Sequence, residues 1–303
     1  MKDFLSINDC STEELKELLS LSSQLKRLYK QGGRDLCLSG RVLAMLFEKP
    51  SLRTRISFHV AMTNLGGSAI YVKPEDIGGV GKREPVKDIA RVLSRYVDGI
   101  MARTFEHSTL TELAKYATAP VINALTDWSH PCQAMADVLT IQEHCGKIKG
   151  VKIAFVGDGN NVARSLAFAC AKLGMKMVVA APSGYELDAE TIKMANQTLP
   201  GCISQTNSPA EAVASADIIY TDTWVSMGQE NEKEERIKVF GGFQVNAGLV
   251  KRAPAGVKIM HCLPAYRDYE ITDEVAEAEN SIIFDQAENR LHFQRALLKK
   301  LMS

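Results

Sequence analysis

The sequence has little that would mark a membrane protein or a nucleic-acid-binding protein. No stretch reaches the roughly 18 apolar residues of a membrane span, and Met1–Ser6 shows neither a signal nor a transit pattern. Thirty-six Lys and Arg residues balance thirty-six Asp and Glu, so the formal net charge is zero and no overall basic field attracts polyanions. We therefore expect a cytoplasmic protein that contacts neither membrane nor nucleic acid and holds any anion locally.

The chain also lacks the cysteine spacing of a disulfide framework or a structural metal site. Its seven cysteines are odd in number and widely spread, with no C-x-x-C pair and no histidines at zinc-ligand spacing. Most are expected to be inert buried residues. Cys262 differs because it stands beside His261 at the end of an apolar run. Adjacent residues of an extended chain point to opposite faces, which disfavours a Cys–His nucleophile pair.

What the chain does contain is a regular alternation of short apolar runs and helical-period segments, without repeats. This alternation predicts an α/β fold made of two doubly wound parallel-sheet domains, with the active site in the cleft between them. A Gly-Lys-Ile-Lys-Gly stretch places the boundary near 145, giving domains 1–145 and 146–285. The predicted strands are Val42–Phe47, Ala69–Val72, Gly99–Ala102, Val121–Asn123, Val151–Val156, Met177–Ala181, Asp217–Thr221, Lys258–Met260 and Ile282–Phe284.

The first strand is followed by a run that suits a phosphate group. Ser51 and Thr54 offer hydroxyls, Arg53 and Arg55 offer guanidinium groups, and the start of the next helix offers free backbone N–H groups. The alternative is a plain helix cap with solvated arginines. Two arginines so close together favour the anion site, because their charges repel unless an anion lies between them.

Three further donors follow strands in the first half. Arg103 ends one strand, while His130 and Gln133 lie at a turn before a helix. All three can donate to one carbonyl oxygen, which is the chemistry of an oxyanion hole. A histidine before a proline is also common as a structural turn residue, so this interpretation stays open on the residues alone.

The second half opens with a glycine turn that is not a dinucleotide fingerprint. In Gly157-Asp158-Gly159-Asn160-Asn161 the third glycine of G-x-G-x-x-G would fall at Val162, and no acidic residue ends the next strand. This disfavours an NAD-dependent oxidoreductase. Further along, Asp222 and Ser226 follow another strand, and a carboxylate there can pair with an ammonium group.

Four of these runs resemble, in order, the motifs of the aspartate/ornithine carbamoyltransferase family, and more closely those of its ornithine branch. Ser-Leu-Arg-Thr-Arg at 51–55 resembles S-T-R-T-R, and His-Pro-Cys-Gln at 130–133 resembles H-P-x-Q. The run 222–228 resembles D-x-W-x-S-M-G, and 261–264 is H-C-L-P. The first two motifs are shared with the aspartate branch, whereas the last two carry the resemblance to the ornithine branch.

The resemblance implies transfer of the carbamoyl group from carbamoyl phosphate to the δ-amine of L-ornithine, giving L-citrulline and phosphate in arginine biosynthesis. It implies no cofactor and no metal, a homotrimer or a multiple of trimers, a last helix within 286–303 that packs on the first domain, and a cis Leu263–Pro264 bond. The residues implied for catalysis are Cys262, Arg103, His130 and Asp222. Those for carbamoyl phosphate are Ser51, Leu52 (by its backbone), Arg53, Thr54, Arg103, His130, Gln133, Cys262, Leu263 and Arg290, and those for ornithine are Asn161, Asp222, Ser226 and Met227.

One departure from the family pattern keeps alternatives open. Many bacterial members carry a glutamine that contacts carbamoyl phosphate where this chain has Gly79. A non-catalytic ligand-binding protein would follow if Gly79 disabled the site. A carbamoyltransferase acting on putrescine or an acylated ornithine would share the phosphate half, so activity with those amines separates it from the ornithine prediction.

Overall fold

The computed structural model describes residues 1–225 and 230–303, whose contacts divide the chain into two compact units. Unit 1 contains Met1–Leu139 and Glu288–Ser303, and unit 2 contains Thr140–Ala287. The sequence alone places the boundary at 145 and the start of the returning segment at 286. Each unit has its own parallel sheet, so the predicted class, two α/β parallel-sheet domains, is confirmed. Among the described residues, no helix is long and apolar enough to cross a membrane.

Unit 1 is built on a four-stranded parallel sheet. Its strands are β1 (Val42–Phe47), β2 (Ser68–Val72), β3 (Gly99–Arg103) and β4 (Val121–Leu125), in the order β2-β1-β3-β4. Its helices are α1 (Thr12–Lys30), α2 (Leu52–Asn64), α3 (Pro74–Ile77), α4 (Val86–Tyr96) and α5 (His107–Tyr116), while α6 (Pro131–Cys145) begins in this unit and ends in unit 2.

Local sequence explains these elements well. α1 begins with the predicted capping box, in which Ser11 accepts from the Glu14 N–H and the Glu14 carboxylate accepts from the Ser11 N–H. The central strand β3 is buried along its whole length, as a parallel strand covered on both faces requires. Its Ile100 packs in one core with Ile89 of α4 and Leu113 of α5.

Unit 2 is built on a five-stranded parallel sheet. Its strands are β5 (Lys152–Val156), β6 (Lys176–Ala180), β7 (Ile203–Thr206), β8 (Ile218–Thr221) and β9 (Lys258–His261), in the order β7-β6-β5-β8-β9. Its helices are α7 (Asn161–Leu173), α8 (Ala189–Thr198), α9 (Pro209–Val213), α10 (Lys233–Phe240), α11 (Ala247–Val250) and α12 (Asp273–Ala276), and α13 (Ile283–Met302) runs from unit 2 into unit 1.

Two sequence predictions about strands are wrong or incomplete. The run Ile282–Phe284 is not a strand, because the chain enters α13 at Ile283. Ser281 makes one parallel bridge with Ile259 and the Ile282 N–H bonds to the Ile259 carbonyl. Ile282 and Ile283 are therefore buried beside the sheet where the helix begins, whereas Phe284 is exposed. The edge strand β7 was not predicted, since three of its four residues are polar or only half-buried.

The topology brings the candidate residues to strand ends. In unit 1, Ser51 follows β1 and Arg103 ends β3. In unit 2, Asp158 follows β5, Asp222 follows β8 and Cys262 follows β9. Because the carboxyl ends of parallel strands share one edge of a sheet, each unit gathers its own polar residues there.

Candidate active site

In unit 1 the start of α2 carries the predicted phosphate run. Ser51 is the N-cap residue, and its Oγ accepts from the Thr54 N–H at 3.3 Å and lies 3.1 Å from the Thr54 Oγ1. Thr54 is fully buried, whereas the Leu52 side chain is 73% exposed. A Leu52 that contributes only its backbone N–H is consistent with that exposure. The α2 start thus combines the Ser51 hydroxyl, the buried Thr54 hydroxyl and the positive end of a helix.

A chain of hydrogen bonds ties the returning helix α13 to this helix start. Arg290 donates from Nη2 to Thr54 Oγ1 at 3.0 Å and from Nη1 to Gln133 Oε1 at 2.9 Å. Gln133 in turn donates from Nε2 to Asp137 Oδ1 at 2.8 Å. All four side chains are buried. The bonds fix Arg290 and Gln133, which are far apart in sequence, beside Thr54.

Arg103 lies in a cationic cluster of unit 1 together with Arg53 and Arg290, and His130 lies beside this cluster. Burial, together with the charges of Arg290 and Arg53, lowers the pKa of Arg103 to about 9. Burial also lowers the pKa of His130 well below its usual value, and the charges of Arg290, Arg103 and Lys49 lower it further. His130 is therefore a neutral ring at pH 7. Within the described part of the chain, the buried Arg103 Nε has no hydrogen-bond partner.

Lys49 is a member of this cluster that the sequence interpretation missed. Its side chain is buried, and its ammonium lies 4.6 Å from the centre of the Phe105 ring. Burial lowers the pKa of Lys49, and the charge of Arg103 lowers it further. The available signal was its position between the first strand and Ser51. In contrast, Arg55 is exposed and stacks on Tyr71 at 4.1 Å, so the second arginine of the run is engaged elsewhere.

Unit 2 contributes a buried carboxylate held by neutral donors. Asp222 accepts from Asn160 Nδ2 at 2.8 Å, from the Thr223 N–H at 2.7 Å and from Cys262 Sγ at 2.9 Å. Cys262 is 8% exposed and Asp222 is 6% exposed. The thiol thus donates to the carboxylate, and the two predicted catalytic groups of this unit are in direct contact.

His261 fixes the turn that follows Cys262, although the sequence alone assigns this histidine no role. His261 Nδ1 accepts from the Leu263 N–H at 2.9 Å, so Nε2 carries the proton and donates to Glu270 at 3.0 Å. His261 and Glu270 are both fully buried. Leu263 has φ +58° and the Leu263–Pro264 bond is cis, as predicted. His261 therefore orients the Leu263 backbone and is not available as a base.

The remaining predicted residues are distributed as follows. Asn161 is the first residue of α7, and its neighbour Asn160 caps that helix and reaches Asp222. Ser226 and Met227 lie outside the described residues. Gly79 has φ +88°, a left-handed conformation that strains any residue with a Cβ, so the local backbone favours glycine over the family glutamine.

One group of side chains has the composition of a metal site. The ligand atoms of Asp222, His261 and Cys262 lie within 4.8 Å of one another. Both His261 ring nitrogens are already committed, one to the Leu263 N–H and one to Glu270, and the Cys262 thiol is committed to Asp222. Protein hydrogen bonds thus account for the arrangement without an ion.

The fold and these side chains define an enzyme of two α/β units, one with a buried cationic cluster and the other with a buried carboxylate beside a thiol. Family models agree with this division. Residues 2–143 match the carbamoyl-P binding domain of aspartate/ornithine carbamoyltransferases, and residues 149–301 match their Asp/Orn binding domain. The chain belongs to the aspartate/ornithine carbamoyltransferase family.

Individual relatives extend the similarity over the whole chain. An anabolic ornithine carbamoyltransferase of Pyrococcus furiosus is 52% identical over 304 residues, covering 99% of this chain and 96% of the relative. The solved structure of ornithine carbamoyltransferase from P. furiosus superposes with a TM-score of 0.96 and covers 99% of this chain and 97% of its own. That from Thermus thermophilus is 45% identical, with a TM-score of 0.91 and coverage of 100% and 99%.

Proposed function

We propose that the protein transfers the carbamoyl group of carbamoyl phosphate to the δ-amine of L-ornithine, giving L-citrulline and phosphate. The observation that carries this proposal is the cationic cluster of unit 1, in which Arg103 is buried beside Arg53 and Arg290. Positive charges that lower the pKa of a buried arginine in this way call for an anionic ligand. The family match and the relatives supply the identity of that anion.

The phosphate end of the donor belongs at the start of α2. Ser51, Thr54 and the backbone N–H of Leu52 offer hydrogen bonds there, and Arg53 offers a bidentate guanidinium. The dianion would offset the burial and the neighbouring positive charges that lower the pKa of Arg103. Binding therefore restores the ordinary charge balance of Arg103, which favours a tight complex before the acceptor arrives.

The carbonyl end is polarised by donors of the same cluster. Arg103, Thr54 and the neutral His130 would donate to the carbonyl oxygen as it gains negative charge in the tetrahedral intermediate. Gln133 and Arg290, held together by a 2.9 Å bond, would orient the carbamoyl amide. Donors fixed before the reaction cost no reorganisation, and each is typically worth about 100- to 1000-fold in rate.

The acceptor end belongs to unit 2. A free δ-amine has a lysine-like pKa near 10, so the site must favour the neutral, nucleophilic form. Asp222 and Cys262 are the groups proposed to receive and orient the amine, with the Leu263 backbone beside them. Asn161, Asp222, Ser226 and Met227 are proposed to hold the amino-acid end. The Cys262 thiol acts as a hydrogen-bond donor, and no covalent enzyme intermediate is required.

The proposed reaction balances without a cofactor. The amine nitrogen forms a bond to the carbonyl carbon, and the bond from that carbon to the bridging phosphate oxygen breaks. The phosphate leaves with the electron pair and takes the proton that the amine nitrogen loses. Holding both substrates in this geometry supplies much of the remaining acceleration.

The cellular setting is proposed from the same relatives. We assign the reaction to arginine biosynthesis, which fits the word anabolic in the name of the P. furiosus relative. We further propose a cytoplasmic homotrimer, or a multiple of trimers, with units 1 and 2 as the carbamoyl phosphate-binding and ornithine-binding domains. Light scattering of the purified protein tests the assembly, because a monomer or dimer would contradict it.

The direct test is colorimetric citrulline formation from carbamoyl phosphate and ornithine, run beside aspartate and putrescine as acceptors. Product with ornithine alone is the expected result. Product with another amine would keep the donor half of the proposal and overturn the acceptor half. Carbamoyl phosphate binding without turnover of any acceptor would overturn the enzymatic proposal and favour a ligand-binding protein.

A further inference from the structure

Arg236 of α10 is a buried arginine of unit 2 that the reaction scheme above does not use. Its side chain is 6% exposed. It donates from Nη1 to Asp158 Oδ2 at 2.9 Å and to the Trp224 carbonyl at 3.0 Å, and from Nε to Glu232 Oε2 at 2.8 Å. A single guanidinium therefore joins three separate segments of the chain.

Two of those segments carry the proposed acceptor residues. Asp158 lies in the turn after β5, two residues before Asn160, whose amide donates to Asp222. This turn is tightly packed, because a Cβ on Gly159 would come within 2.2 Å of the Leu187 backbone nitrogen. Trp224 lies two residues after Asp222. Arg236 thus bonds both to the turn that carries Asn160 and to the segment that carries Asp222, and these two residues are themselves joined by a hydrogen bond.

The charge of Arg236 matters as well as its shape. Burial raises the pKa of Asp158 and the neighbouring charge of Asp222 raises it further, while Arg236 opposes both effects. Without Arg236, Asp158 would be a second carboxylate near Asp222 with no compensating cation. It would then take up a proton or compete with Asp222 for the ammonium group of an acceptor, and either event alters acceptor binding.

We propose that Arg236 is a positioning residue for the acceptor amino acid. It fixes the Asp158 turn relative to the segment that follows Asp222, and it neutralises Asp158 so that Asp222 is the only uncompensated carboxylate offered to the substrate amine among the described residues at these two strand ends. This role rests on the proposed function, since it acts on the ornithine side of that reaction.

The test is steady-state kinetics of the full-length protein carrying Arg236→Gln, together with the carbamoyl phosphate dissociation constant. The expected result is a rise of about tenfold or more in KM for ornithine, a kcat within about threefold, and unchanged carbamoyl phosphate binding. The matched control is Glu232→Gln, which removes only the exposed partner of the same arginine. It should leave KM for ornithine within about twofold.

Two more variants keep the test decisive if the glutamine variant does not fold. Arg236→Lys retains the positive charge but lacks the planar guanidinium with its several N–H donors. Its KM for ornithine is expected to lie between those of the wild type and Arg236→Gln. Asp158→Asn combined with Arg236→Gln removes both charges, and its KM should be lower than that of the single Arg236→Gln variant.

The proposal is overturned if every folded Arg236 variant keeps the wild-type KM for ornithine, or if carbamoyl phosphate binding weakens as much as ornithine binding. Failure of the proposed function is a separate result, because it would appear as absence of citrulline from the wild-type protein.

Discussion

The two units differ in the neighbours of their buried charged side chains. In unit 1, Lys49, Arg103 and Arg290 are buried together, and burial lowers the pKa of Lys49 and Arg103 as their charges repel. In unit 2, the buried Arg236 is paired with Asp158, and Asp222 is held by neutral donors. A cluster of buried cations suits an anionic substrate, whereas a buried carboxylate with neutral hydrogen-bond partners suits an amine.

The largest effect is expected from removing a cation of unit 1. Arg53→Ala should nearly abolish turnover, with a loss of about 1000-fold or more in kcat/KM for carbamoyl phosphate, because the phosphate loses its bidentate partner at the start of α2. Arg91→Ala removes the same charge from an exposed pair with Asp88 and should change kcat/KM less than about twofold. Retention of most activity by the Arg53 variant would refute the phosphate assignment.

In unit 2 the corresponding change is Asp222→Asn. It should lower kcat about 100-fold, because the acceptor loses the carboxylate that orients it for attack, while carbamoyl phosphate binding stays as in the wild type. Cys262→Ser keeps a donor to Asp222 and should cost about tenfold. A serine variant as inactive as a full deletion of the thiol, Cys262→Ala, would mean that sulfur itself takes part in the chemistry.

A structural prediction concerns the turn that presents Leu263. Glu270→Ala leaves the His261 Nε2–H and the Tyr266 N–H, both bound to Glu270 Oε1, without an acceptor. We expect it to lower the free energy of unfolding by about 3 kcal/mol, measured by urea denaturation. Glu270→Gln keeps an acceptor and should lose less. Equal losses for the two substitutions would show that the acceptor oxygen is not what stabilises the turn.

The smallest effect is a pH dependence of stability. The folded-state pKa of His130 is lowered below its unfolded value, so the unfolded chain binds the proton first as the pH falls below about 6.5. The free energy of unfolding should therefore fall by up to about 1.4 kcal/mol per pH unit from this group. His130→Gln should reduce that slope, and the buried His292, whose pKa is also lowered mainly by burial, should contribute in the same direction. Identical slopes in urea titrations at pH 7, 6 and 5.5 would contradict this assignment.

Local signals explain why much of the molecule could be predicted from sequence. The apolar runs of β1, β3 and β5 form central strands. The polar residues that follow these runs in the sequence therefore lie at strand ends in the structure. Ser51 was recognisable from its position alone, since a serine before a helix with two nearby arginines is a strong local pattern. Arg290 came only from the family resemblance, because nothing near it in the sequence indicates its bond to Thr54.

Long-range contacts account for what the sequence left unseen. Arg236 lies in the highly charged segment Lys233–Phe240, which looks like a solvated helix, yet it is buried against Asp158, 78 residues earlier. The sequence does not indicate the pairing of His261 with Glu270 either, because only the turn between the two residues brings their side chains together. The error at Ile282 arose because apolar residues beside a sheet edge look like a strand whether or not they extend it.

Calorimetric titration of inorganic phosphate into the wild-type protein, Arg103→Ala and Asp222→Asn, all at pH 7, tests the division of charge most directly. The account requires that Arg103→Ala weaken phosphate binding by about tenfold or more while Asp222→Asn leaves it within about twofold of the wild type. Equal weakening in both variants, or weakening in Asp222→Asn alone, would contradict the assignment of the anion to unit 1.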